Sequence, residues 1–79
     1  MFNQVVLMGY VGEIYATRIL VGVRGELIPV EMTEDMISKL LLNNQVGIKG
    51  HIQMYEDKTP HIICDELTIL DRRGKKNGN

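Results

Sequence analysis

The stretch Gln45-Val46-Gly47-Ile48-Lys49-Gly50-His51-Ile52-Gln53-Met54-Tyr55 alternates apolar and polar residues with the two-residue period of a β-strand. Val46, Ile48, Ile52 and Met54 fall on one side and Lys49, His51, Gln53 and Tyr55 on the other, so one face belongs to a core and the other to solvent. Gly50 stands on the apolar side where a side chain is expected, which predicts a bulge, a sharp bend or a close backbone approach. A strand bent in this way suits a small closed barrel.

Upstream, residues 2–9 read F-N-Q-V-V-L-M-G, rich in β-branched and apolar types and closed by glycine, and are expected to form a first strand. Both of its faces carry apolar residues, as in a curved strand that touches the interior on one side and a second subunit on the other. Gly9 and Gly12, around Tyr10-Val11, permit tight curvature, so the chain is expected to bend here without leaving the sheet. Residues 14–23 and 26–32 flank Arg24-Gly25, a short hairpin signal. Pro29 has no N–H for a ladder, which places its part of the third strand at an edge or a bulge.

Thr33 is a good N-cap, followed by Glu34 and Asp35 at the positive end of a helix dipole. Met36, Ile37, Leu40 and Leu41 make one apolar stripe and Asn43-Asn44 a stop, which predicts a helix of about eleven residues, too short to stand alone and expected to plug an open end of the barrel. Downstream of the central strand, residues 56–60 are a polar turn and residues 61–70 a last strand. Its apolar positions keep one alternation only if a bulge lies near Asp65-Glu66. Residues 71–79 read D-R-R-G-K-K-N-G-N and are expected to be a frayed polar tail.

The order is strand, strand, strand, helix, strand, strand, an all-β chain with one short helix. It is the element order of the five-stranded oligonucleotide/oligosaccharide-binding barrel, the OB-fold. The expected organisation is one OB-fold domain over residues 1–71 and a basic tail over residues 72–79.

Composition narrows the classes. The chain has 79 residues, 44% of them hydrophobic and 24% charged, an ordinary balance for one folded domain. No apolar run approaches the roughly 20 residues needed to span a bilayer. The opening Met1-Phe2-Asn3-Gln4 lacks the basic segment of a secretion signal, so a cytoplasmic protein is expected. Nine basic against ten acidic side chains give a net charge of -1, which is not the balance of an obligate nucleic-acid binder, although a local basic patch can still hold phosphate. The lone Cys64 has no disulfide partner and reads as a buried, inert thiol. No G-x-S-x-G or phosphate-loop pattern occurs and the only serine, Ser38, lies in the helix, so no enzyme and no cofactor is expected. The pairs Glu56-Asp57 and Asp65-Glu66 are adjacent in sequence, which in a regular strand sends their side chains to opposite faces.

Several stretches resemble the bacterial single-stranded DNA-binding protein family. Asn3-Gln4-Val5-Val6-Leu7-Met8-Gly9-Tyr10-Val11-Gly12, with Arg18 following, is similar to that family's first strand, N-K-V-x-L-x-G-N-L-G before an arginine. Residues 45–52 resemble its fourth strand, and I-I-C-D-E-L-T-I-L-D-R-R its last. The chain departs from the family in having no Trp, no long hairpin between the second and third strands and no acidic carboxy-terminal peptide. It looks like a trimmed, single OB-fold member, similar to the small primosomal OB protein of the same superfamily. The resemblance implies single-stranded DNA as ligand, RNA being the other candidate. It also implies a homodimer or homotetramer and a replication or repair protein as partner.

Base stacking contributes roughly 1–3 kcal/mol per aromatic contact, so exposed aromatics decide whether a neutral barrel holds a strand. The candidates are Tyr55 on the wet face of the central strand, Tyr10 in place of the family's asparagine, and Tyr15. Tyr55 stands equally for a packing residue under the turn, and Tyr10 and Tyr15 for surface or subunit contacts; Phe2 fits core or interface. Lys49 and His51 share the face of Tyr55, and with Arg18, Arg24 and Lys58 they would make a shallow basic groove for phosphate. A solvated strand face is the ordinary alternative. His51 and His61 without a spaced Cys or carboxylate partner are a poor metal signal. Arg72, Arg73, Lys75 and Lys76 form a short basic tail suited to nucleic acid or simply to solubility. Two functions follow: single-stranded nucleic-acid binding of low sequence preference, or a protein-interaction module that has kept the barrel and lost nucleic-acid binding.

Overall fold

A computed structural model describes residues 3–71. The strands β1 (Val5–Ile14), β2 (Arg18–Val23), β3 (Glu26–Glu31), β4 (Gln45–Met54) and β5 (Pro60–Ile69) close into one barrel in the order β1-β2-β3-β5-β4, with helix α1 (Glu34–Ile37) between β3 and β4. All neighbours are antiparallel except β3 and β5, which meet in parallel at Val30↔Ile62 and Glu31↔Ile63. This is the OB-fold topology that the element order predicts. Phe2 and the basic positions Arg72, Arg73, Lys75 and Lys76 lie outside the described residues.

The barrel is filled by inward residues taken alternately from the strands. Val11, Ile19, Val21, Val30, Val46 and Ile48 are fully buried, each contributing roughly 1.5–3 kcal/mol of transfer free energy. β1 is longer than its expected core of residues 2–9. It runs through Gly9 and Gly12 as one bent strand, pairing with β4 over residues 5–10 and with β2 over residues 10–14. The register shifts by one residue at Gly12, the bulge that the bend requires. The second expected curve is also present: a Cβ on Gly50 would collide with the Ile63 carbonyl, so only glycine allows β4 and β5 to approach here. Pro29 lies at the part of β3 that pairs only with β2, where a missing donor breaks no ladder.

β2 begins at Arg18 rather than at residue 14, because Ile14 still belongs to β1. Two further expectations change. The helix spans four residues rather than about eleven. Thr33 caps it as expected, its side chain accepting from the Met36 N–H at 3.1 Å. The chain beyond Ile37 then tightens into turns that bond three residues back, Lys39 N–H to Met36 O and Leu40 N–H to Ile37 O. Ile37 and Leu40 still enter the core, but Leu41 is exposed, because the tighter winding turns the fourth stripe residue outward. Asn44, which is buried, closes this segment: its Oδ1 accepts from the Leu41 N–H at 2.8 Å, and its backbone carbonyl takes the Val11 N–H at 2.9 Å.

The second change lies in the central strand. Val46 and Ile48 point into the core, but Ile52 and Met54 are exposed, because β4 beyond Gly50 has run past its pairing with β1 and keeps only β5 as a neighbouring strand. Asn3 covers this open edge: its side-chain amide donates to Ile52 O at 2.7 Å and accepts from Ile52 N at 3.1 Å, completing the ladder with a side chain.

Candidate nucleic-acid interface

The bulge expected near Asp65-Glu66 is present, and it decides the electrostatics of one barrel face. Lys49 pairs with Glu66 while Gly50 pairs with Cys64, leaving Asp65 as the extra residue of β5. Asp65 and Glu66 are therefore both exposed instead of pointing to opposite faces. Each carboxylate takes one partner on β4: Glu66 lies 3.7 Å from Lys49 Nζ and Asp65 lies 2.8 Å from His51 Nδ1. Cys64, beside the bulge, is buried, and burial raises its thiol pKa, which matches an inert role.

The predicted site residues separate into groups. Lys49 lines a depression with Val6, Met8, Gly47 and Leu70, apart from Tyr55. Tyr10 and Arg24 share another beside Gly22 and Gln45. Lys58 sits in the β4–β5 turn with a positive φ of 68°. The structure brings together Tyr15, Arg18 and Tyr55, which border one shallow depression with Thr17 and Glu31.

The local order of this third group follows from strand register. Arg18 begins β2 and stands opposite Glu31 at the end of β3. Its guanidinium lies over the Tyr15 ring, 5.0 Å from the centroid, a cation–π contact. Tyr15 donates its hydroxyl to the Glu13 carboxylate, and this hydrogen bond raises the phenol pKa. Tyr55, the residue after β4, stacks on His61 of β5 with centroids 3.8 Å apart and planes 14° from parallel. Its hydroxyl donates to Glu31 Oε1 at 2.8 Å, which likewise raises its pKa.

Glu31 and His61 are the two central groups absent from the binding residues expected from sequence. His61 Nδ1 meets Glu31 Oε2, and its Nε2 lies 3.1 Å from the Thr59 hydroxyl. That hydroxyl gives its own proton to Asp57 at 2.6 Å, so it faces the ring as an acceptor. The Tyr55 hydrogen bond holds the Glu31 carboxyl below its ordinary pKa; His61 and Arg18 act in the same direction and burial opposes them. A signal for Glu31 existed: a two-residue turn at Arg24-Gly25 counts back along both strands to set Arg18 against residue 31.

The arrangement offers two aromatic rings, each with one face already covered, Tyr55 by His61 and Tyr15 by Arg18. Their remaining faces can take a planar ring, Arg18 can hold an anion, and Glu31 can accept hydrogen bonds. Among the described residues no group of three or more Cys, His, Asp or Glu side chains is placed to hold a metal ion. No helix among them is long and apolar enough to cross a membrane.

Neither a family model nor a curated protein sequence matches the chain. Solved structures do. One is the dimeric structure of the N-terminal domain of PriB protein from Thermoanaerobacter tencongensis, at 15% identity and a TM-score of 0.63, covering 87% of this chain and 96% of that one. Another is a Replication Protein A heterotrimer bound to ssDNA, at 17% identity and a TM-score of 0.61, covering 94% of this chain and 62% of that one. A third is OBody NL8 bound to hen egg-white lysozyme, at 22% identity and a TM-score of 0.67, covering 89% and 96%. At these identities the likeness is one of fold, and it agrees with the barrel order and the helix position: the chain is an OB-fold.

Proposed function

We propose that this protein binds single-stranded nucleic acid without chemistry, on the face formed by Tyr15, Arg18 and Tyr55. The observation that carries the reading is the convergence of two half-covered tyrosine rings and one arginine on a single depression, with Tyr55 held flat by His61. The Replication Protein A neighbour, which is bound to ssDNA, supports it through the fold it shares with this chain. Two stacked bases contribute about 2–6 kcal/mol, which with a few phosphate contacts places the affinity in the micromolar range. DNA is the first candidate ligand and RNA the second; a replication or repair setting and a cytoplasmic location fit the same reading. Lys49 and His51 belong to this function only if phosphate displaces their carboxylate partners.

A second reading is favoured by a different observation. Val6 and Met8 are 63% and 61% exposed around the floor made by Gly47, beside Leu70, an apolar surface suited to protein. The OBody neighbour, bound to lysozyme, is an OB-fold that contacts protein. The two readings separate in a fluorescence-anisotropy titration of the protein into labelled oligodeoxythymidine at low and near-physiological salt. Saturation weakened by salt and by Tyr55→Ala supports the strand-binding reading. A folded protein that binds nothing at low salt supports the interaction module.

A further inference from the structure

Glu31 is unusual furniture for a surface that meets nucleic acid. Its side chain is 30% exposed and lines the depression between Tyr15, Arg18 and Tyr55. A carboxylate repels phosphate and donates nothing, so the backbone of a bound strand is kept from this point and only a group carrying N–H donors gains by facing it. An ionised carboxylate has about four acceptor positions. Tyr55 fills one on Oε1 and His61 one on Oε2, so each oxygen retains one. The cation that could hold a flanking phosphate is Arg18, directly across the β2–β3 ladder.

Resting on the reading that a single strand occupies this face, we infer that Glu31 makes the site selective for guanine, with the base in the depression beside Tyr15 and its Watson–Crick edge turned to the carboxylate. Guanine alone offers two adjacent donors, N1–H and the 2-amino group, to two acceptor oxygens. Thymine offers one N–H between two carbonyls, which the carboxylate repels. Cytosine and adenine each offer one amino group beside an acceptor nitrogen. The lowered pKa of Glu31 keeps it an acceptor at neutral pH. Stacking tolerates every base, so discrimination at this site comes from the carboxylate.

The test uses the full chain and labelled oligodeoxythymidines of equal length carrying at one central position dT, dG, dC, dA or deoxyinosine, which keeps N1–H and lacks the 2-amino group. The dG strand should bind at least about fivefold more tightly than the dT strand, as one bidentate contact provides, with deoxyinosine between them. Glu31→Gln, checked for folding by its melting transition, should bring the dG-to-dT ratio to about one. Equal affinity of the unmodified protein for dG and dT strands overturns the selectivity and leaves strand binding intact. Absence of binding to every strand overturns both. The base series on the unmodified protein decides the matter even if the Gln variant does not fold.

Discussion

Glu31 is held in its charged form first by the Tyr55 hydroxyl, then by His61 and Arg18. A carboxyl whose folded pKa is depressed stabilises the protein fully above its unfolded value, and the contribution disappears as pH falls through the folded value. Comparing Glu31→Gln with the unmodified chain should therefore show a melting-temperature gap at pH 7 that closes as pH drops below the ordinary carboxylate range near about 4. A gap that stays constant to pH 3 would mean that the charge contributes nothing. Gly50 is tested more simply. Because a Cβ there meets the Ile63 backbone, Gly50→Ala must push β4 from β5 and should cost about 2 kcal/mol or more, read from urea unfolding.

At the level of elements, the β2–β3 hairpin turns on Arg24 and Gly25, with φ of 53° and 84°. Both signs are positive, the geometry in which Asn-Gly is favoured and a long side chain at the first position is strained. Arg24→Asn should raise stability by about 0.5–1 kcal/mol, seen as a melting transition several degrees higher. If Arg24 also meets phosphate, the same variant lowers the salt dependence of strand binding by roughly one contact; an unchanged slope removes it from the site. The strands were legible because their burial alternates, and the hairpin and both glycine curves because turn chemistry is local. The short helix was not, because its stripe of Met36, Ile37, Leu40 and Leu41 is equally compatible with continued α-helix and with tighter turns, and only closure by Asn44 selects the latter. In the candidate site, Tyr15, Arg18 and Tyr55 were legible as residue types. Their grouping was not, because it depends on register between strands far apart in sequence, and Glu31 and His61 came with that register.

The whole molecule is close to neutral, with nine basic and ten acidic side chains, and its barrel leaves one strand partly open. Along β1, residues 5–9 pair with β4 on one side only, because the hairpin ends at Val23 before reaching them. This short open edge lies beside exposed Val6 and Met8, a combination that favours self-association. Sedimentation equilibrium at micromolar concentration should report a dimer, and Met8→Glu should return it to monomer; a monomeric unmodified protein would sink this expectation. The bulge at Asp65 carries a consequence at the same scale. Removing that one residue would leave Cys64 inward and Glu66 outward with the β4 pairing unchanged, while His51 lost its carboxylate partner. The sign of the outer surface is thus set by strand length as much as by side-chain identity. Asp65→Asn removes the same carboxylate and keeps the bulge, so comparing it with the deletion separates the charge of this face from the length of the strand that carries it.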